Sequence, residues 1–208
     1  MKDYSLHQRI IDISVKHKLS HLSSCLTAVD IINEIYAQKK MDEVFVLSSG
    51  HAALALYVVI EKYQGLNAEA LLEKHGVHPG FDKASGIYCS TGSLGLGITV
   101  SVGYALSDRS KNVYCLISDG ESFEGSVWES LSFIDNNKLE NMKIYANING
   151  YSAYDAVDCD KLVRKLRAFL PTVNVRLTDV REYPTLAGIG GHYLVLKEHP
   201  LTDDIGVL

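Results

Sequence analysis

The sequence predicts an α/β protein with a three-layer α/β/α arrangement and a mainly parallel central sheet. Three observations carry that expectation. Short runs rich in Val, Ile, Leu and Tyr alternate with helical stretches, which is the pattern of strands joined by crossover helices. The runs are nearly continuous in apolar character, as strands covered on both faces are. At 208 residues and 47% hydrophobic content the chain can bury one full core.

The elements follow in order. Leu26, Val29, Ile32 and Tyr36 recur at helical spacing. Val44–Leu47 reads as the first strand, and a helix starts at about His51. A further helix is expected over about Leu96–Leu106, behind a glycine-rich run. Val113–Ile117 is the second strand, followed by Phe123, Val127, Leu131 and Ile134 on one helical face. Met142–Ile148, Val173–Leu177 and His192–Leu196 complete five expected strands. One domain is expected over residues 1–200, with Leu201–Leu208 as a loose tail.

Composition excludes several function classes. A net charge of −5 provides no basic face for nucleic acid or an anionic membrane. No apolar stretch reaches the roughly 18 residues of a membrane span, and Met1-Lys2-Asp3-Tyr4-Ser5 opens polar, unlike a signal peptide. The expected compartment is the cytoplasm. Cys25, Cys89, Cys115 and Cys159 stand far apart, which favours neither a zinc site nor a disulfide framework, and Cys115 reads as a core thiol.

The most informative feature is the interval between Ser118-Asp119-Gly120 and Asn147-Ile148-Asn149-Gly150, which sets Asp119 and Asn149 thirty residues apart. Each follows an apolar run, so two adjacent parallel strands would deliver a carboxylate and an amide oxygen to one sheet edge. Ligands in open α/β sheets bind beyond that carboxyl edge. Mg2+ takes six oxygens, a few from protein and the rest from phosphate and water. Asp119, Asn149, one main-chain carbonyl, two diphosphate oxygens and a water would complete such a set. Asp-Gly and Asn-Gly are also ordinary turn dipeptides, and each alone reads as a turn. The glycines at 92, 95 and 97, with Val100 beyond, miss the dinucleotide fingerprint. They permit either close approach to a flat ligand ring or tight helix packing.

With these motifs in place, the chain resembles the N-terminal, diphosphate-binding domain of the transketolase family of thiamine diphosphate enzymes. The aspartate-glycine pair and the later asparagine match, and four segments match in the same order: Ser20-His21-Leu22-Ser23-Ser24, Leu47-Ser48-Ser49-Gly50-His51, Val77-His78-Pro79-Gly80 and Thr91-Gly92-Ser93-Leu94-Gly95-Leu96-Gly97. Together they span roughly residues 15–151. The resemblance implies thiamine diphosphate and Mg2+ (or Ca2+) as cofactors. It assigns Asp119, Asn149 and Tyr151 to the metal, and His51, Gly92, Ser93, Leu94, Gly120 and Glu121 to the cofactor, with Asp119 and Asn149 shared. His21 and His78 would touch the donor sugar's hydroxyls and oxyanion, so His21, His51 and His78 form the expected catalytic set. His7, His17, His75, His192 and His199 match no motif.

Glu124 and Glu129 match family positions at a dimer interface, although acidic residues early in a helix are commonplace. The resemblance further implies transfer of a two-carbon ketol unit from a ketose, free or phosphorylated, to an aldose. The family's activating glutamate lies on a separate pyrimidine-binding domain that this sequence does not contain. The expected protein is therefore one subunit of a split transketolase, with a self-associated dimer core and a pyrimidine-binding partner subunit. Pro79-Gly80 replaces the family's proline-glutamate. A later family histidine and the sugar-phosphate arginines have no match. A non-catalytic cofactor-binding or interface-competing module, and a related enzyme acting on another keto substrate, remain open alternatives.

Overall fold

The structure is a computed structural model that describes residues 3–152, 155–179 and 186–196. Four strands, β1 (Val44–Leu47), β2 (Val113–Ser118), β3 (Met142–Ile148) and β4 (Asn174–Leu177), form one parallel sheet in the order β1-β2-β3-β4. Side chains alternate across it as the two-residue period demands. Phe45, Leu47, Tyr114, Leu116 and Tyr145 enter one apolar core, whereas Val46, Cys115, Ile117, Ile144, Ala146 and Ile148 enter the other.

Helices cover both faces. On the first lie α1 (Tyr4–His17), α2 (Leu22–Gln38), α3 (Ala53–Gln64) and α4 (Ala68–His75). On the second lie α5 (Leu96–Ser107), α6 (Gly125–Asn136) and α7 (Cys159–Phe169), which lead into β2, β3 and β4 in turn. The three-layer α/β/α expectation holds. Asp3, Asn67 and Asp158 start α1, α4 and α7 by accepting main-chain N–H bonds. Cys115 is fully enclosed, as its place in a central strand demands. Among the described residues no helix is long and apolar enough to cross a membrane.

Two sequence expectations are corrected. Residues 188–192 form a short helix, α8 (Gly188–His192), and Tyr193–Leu196 run on without strand pairing. Leu194 and Leu196 do turn inward while Val195 is exposed, giving the strand-like alternation. Their burial, however, comes from packing on the α1–α4 core and not from a ladder. Phe123 is 67% exposed and ends a 3-10 turn, Gly120–Phe123, so the buried face of α6 begins only at Val127. The expected tail Leu201–Leu208, and His199, lie outside the described residues.

Candidate active site

The register of β2 on β3 sets Ser118 opposite Asn147, so Asp119 and Asn149 leave the sheet at the same edge. The chain then turns around the aspartate. Asp119 Oδ2 accepts the N–H groups of Asn149 (2.9 Å), Gly150 (2.8 Å) and Tyr151 (3.2 Å), while Oδ1 accepts only that of Gly120 (3.1 Å). Asn149 Oδ1 accepts from Tyr151 N–H at 3.0 Å. Oδ2 is thus fully used by the protein, and Oδ1 and the Asn149 amide oxygen each keep acceptor capacity.

Asp119 is 2% exposed. Burial lifts its carboxyl from an ordinary 3.8 to about 6, against the four main-chain hydrogen bonds that pull it down. A desolvated carboxylate with a spare lone pair and an amide oxygen are donors of the kind a hard divalent ion takes, and Tyr151 lines the same cleft. Among the described residues no cluster of three His, Cys, Asp or Glu side chains could hold a metal alone. An ion here would need further oxygens from a ligand.

His21, His51 and His78 line one cleft with Asp119, Asn149 and Tyr151, so the structure brings the expected histidines and oxygen donors together. His21 stands immediately before α2 with φ 62°, a left-handed conformation that costs a side-chain-bearing residue energy, and its imidazole makes no capping bond. Its ring lies 5.5 Å from that of His51 and 5.7 Å from that of Tyr193, centroid to centroid. His78 sits on an exposed loop whose neck is closed by Thr91, with N–H (2.9 Å) and hydroxyl (3.1 Å) both donating to the Pro79 carbonyl.

The glycine-rich run divides between its two readings. Gly92 and Ser93 are exposed beside the His78 loop, and Leu94 reaches the cleft wall. Gly95 and Gly97 are packing glycines. A Cβ on Gly97 would stand 2.6 Å from Ser48 Cα, and one on Gly95 would stand 2.3 Å from Ser126 Oγ.

Gly120 lies in the cleft wall, but Glu121 does not: its carboxylate is buried behind that wall among Ser48, Gly95 and Ser118, and burial raises its pKa. Glu124 is half-buried at the start of α6 and Glu129 is exposed on it. Trp128, on the same helix, donates its indole N–H to the Ser122 carbonyl at 2.9 Å, beside the turn that follows Asp119.

Several cleft residues escaped sequence reasoning. Asn147 was legible in principle, since strand alternation puts it on the face of Asn149. It is fixed by Thr27 Oγ1 (3.1 Å) and by Thr178 Oγ1, which donates to it at 2.6 Å. Ser24, Ser49 and Tyr193 also line the cleft. Tyr193 belongs to the segment misread as a strand, and nothing local marks it.

The chain is similar to known proteins in sequence and in fold. The family described as "Transketolase, thiamine diphosphate binding domain" matches residues 28–159, well over half of the chain. Transketolase-like protein 2 of Bos taurus is 33% identical over 149 residues, which cover 62% of this chain and 24% of that protein. One subunit of the apulose-4-phosphate transketolase of Phocaeicola vulgatus is 30% identical over 156 residues, 65% of this chain and 55% of that protein. The chain thus spans about a quarter of the first relative and about half of the second. Among solved structures, transketolase from Campylobacter jejuni superposes with a TM-score of 0.73 at 17% identity, covering 99% of this chain and 42% of that one, a likeness of fold. On the extent of the family match, this chain belongs to the transketolase family, within its thiamine diphosphate-binding domain.

Proposed function

We propose that the protein is the N-terminal subunit of a split transketolase-type enzyme, which binds thiamine diphosphate through Mg2+ and transfers a two-carbon ketol unit once a pyrimidine-binding subunit completes the site. The observation that carries this reading is the Asp119 carboxylate, wrapped by the N–H groups of residues 149–151 with one oxygen left open toward a cleft lined by three histidines. Asp119 Oδ1, the Asn149 amide oxygen and the Tyr151 carbonyl would hold the ion, which in turn would anchor the diphosphate near His51 and Gly120. Gly92, Ser93 and Leu94 would meet the ring system. When bound, thiamine diphosphate supplies the nucleophilic carbon that attacks a ketose carbonyl; the protein supplies position and electrostatics.

His21 and His78 would orient the sugar and move protons at its hydroxyl and carbonyl oxygens. The strained backbone at His21 supports such a role, because strain persists where function demands it. The cleft holds about 150 Å³, below the roughly 300 Å³ at which small-molecule pockets begin, which supports a reading in which a partner subunit adds further walls around the sugar. A relative named as one subunit of an apulose-4-phosphate transketolase, about twice the matched length, supports a split assembly and a sugar phosphate among the substrates. Glu124 and Glu129 would lie at the interface of the self-associated core. The working location is the cytoplasm.

The test is affinity capture of the chain from its host's lysate with Mg2+ and thiamine diphosphate, with mass spectrometry of the retained proteins. Recovery of a chain bearing a pyrimidine-binding domain, followed by ketol transfer from the recombined pair but from neither alone, is the expected result. A chain that binds neither cofactor nor partner would overturn the proposal.

A further inference from the structure

We propose that Glu121 is a positioning residue for the cofactor site, acting by tying three cleft-forming segments together from behind; this rests on the transketolase-type reading above. The carboxylate is wholly enclosed, at 0% exposure. Oε1 accepts the Ser48 hydroxyl and the Gly95 N–H (3.0 Å), and Oε2 accepts the Ser118 N–H (3.0 Å). Each donor stands beside a group in the cleft wall. Ser48 leads into Ser49 and His51, Gly95 follows Leu94, and Ser118 precedes Asp119.

The three segments are the end of β1, the loop before α5 and the end of β2, and this one side chain bonds to all of them. Burying a carboxylate is costly unless its oxygens are satisfied. A residue needed only to fill this space would be apolar, whereas the carboxylate's two acceptors provide directional links. Gly97 fixes the Ser48 end of the arrangement, since its missing Cβ lets α5 press against the Ser48 backbone. The cleft's metal end and ring end are therefore set relative to each other by Glu121.

Glutamine has one acceptor oxygen in place of two, so Glu121→Gln sets an amide NH2 against the N–H of either Gly95 or Ser118, and that segment must shift. Ser48→Ala removes the hydroxyl link and leaves both main-chain bonds. The experiment is calorimetric titration of Mg2+ and thiamine diphosphate into the full chain, well below its unfolding temperature, for the wild type and both variants.

Wild type is expected to bind at full stoichiometry. Glu121→Gln is expected to bind with unchanged stoichiometry and a Kd about tenfold higher, equivalent to about 1.4 kcal/mol. Ser48→Ala should move the Kd in the same direction by less. A purely structural role would lower the stoichiometry and leave the Kd of the remaining folded molecules unchanged. That result, or no change in either quantity, overturns the proposal. Should Glu121→Gln fail to fold, Ser48→Ala decides on the same terms. A wild type that binds nothing overturns the cofactor reading itself, and the positioning role with it; a wild type that binds beside unchanged variants overturns the positioning role alone.

Discussion

Asp119→Asn keeps the size of the side chain and removes its charge, and it should stabilise the metal-free protein while abolishing cofactor binding. The carboxyl titrates at about 6 in the fold against an ordinary 3.8. Because the folded value is the higher, the folded protein holds the proton more tightly than the unfolded chain. The stability from this group is fully present below pH 3.8 and is lost as pH rises through about 6. At roughly 1.4 kcal/mol per pH unit, keeping Asp119 ionised at neutral pH costs about 3 kcal/mol.

The substitution is not free of cost. The amide oxygen can take over the three N–H groups of residues 149–151, but its NH2 then faces the Gly120 N–H. Such an unpaired main-chain donor costs about 1–2 kcal/mol. The net gain at pH 7.5 should be about 1–2 kcal/mol. Urea unfolding in the presence of a chelator, followed through Trp128, the chain's single tryptophan, measures it. At pH 4 the advantage should vanish. With Mg2+ and thiamine diphosphate at about a hundred times Kd, the wild type should gain about 2.7 kcal/mol and the variant nothing. A variant less stable than the wild type at pH 7.5 in chelator, or equal stabilisation of both by the ligands, would sink this account of the carboxylate.

Three further outcomes are expected. His21→Gly should raise stability by about 1 kcal/mol in the same unfolding assay, by releasing the left-handed strain, and should depress ketol transfer in the recombined enzyme. Gly97→Ala should lower stability by about 2–3 kcal/mol despite alanine's better helix propensity, because its Cβ meets the Ser48 backbone and not a movable side-chain tip; a stabilised variant would count against the close approach. Thiol titration of the native chain should find Cys159 reactive first, since Cys25, Cys89 and Cys115 are buried and burial pushes the Cys25 thiol up to about 12; urea should release all four.

What the sequence made legible is what repeats or spans. Strand runs with both faces buried, and a carboxylate and an amide at the ends of neighbouring strands, follow from local apolar pattern plus the rule that ligands bind at the carboxyl edge. Tyr193–Leu196 were misread because inward alternation of Leu194 and Leu196 looks the same whether a ladder or a helical layer buries them. Phe123 was misplaced because a 3-10 turn shares nearly the same spacing as the first turn of a helix. Glu121 resembled a cofactor contact by its place beside Asp119-Gly120. Only the three-dimensional path shows its carboxylate turned toward Ser48 and Gly95, partners 73 and 26 residues away.

The sheet divides the protein into two apolar cores, and the cleft takes its walls from both sides of that partition. His21 and His51 belong to the segments of α2 and α3, whereas Leu94 belongs to the approach to α5. A molecule lying across the cleft is then a strap between layers whose opening fluctuations are otherwise separate. Amide protons near the starts of α2 and α5, which lie on opposite faces and far apart along the chain, would slow their exchange with solvent in concert when the strap is in place.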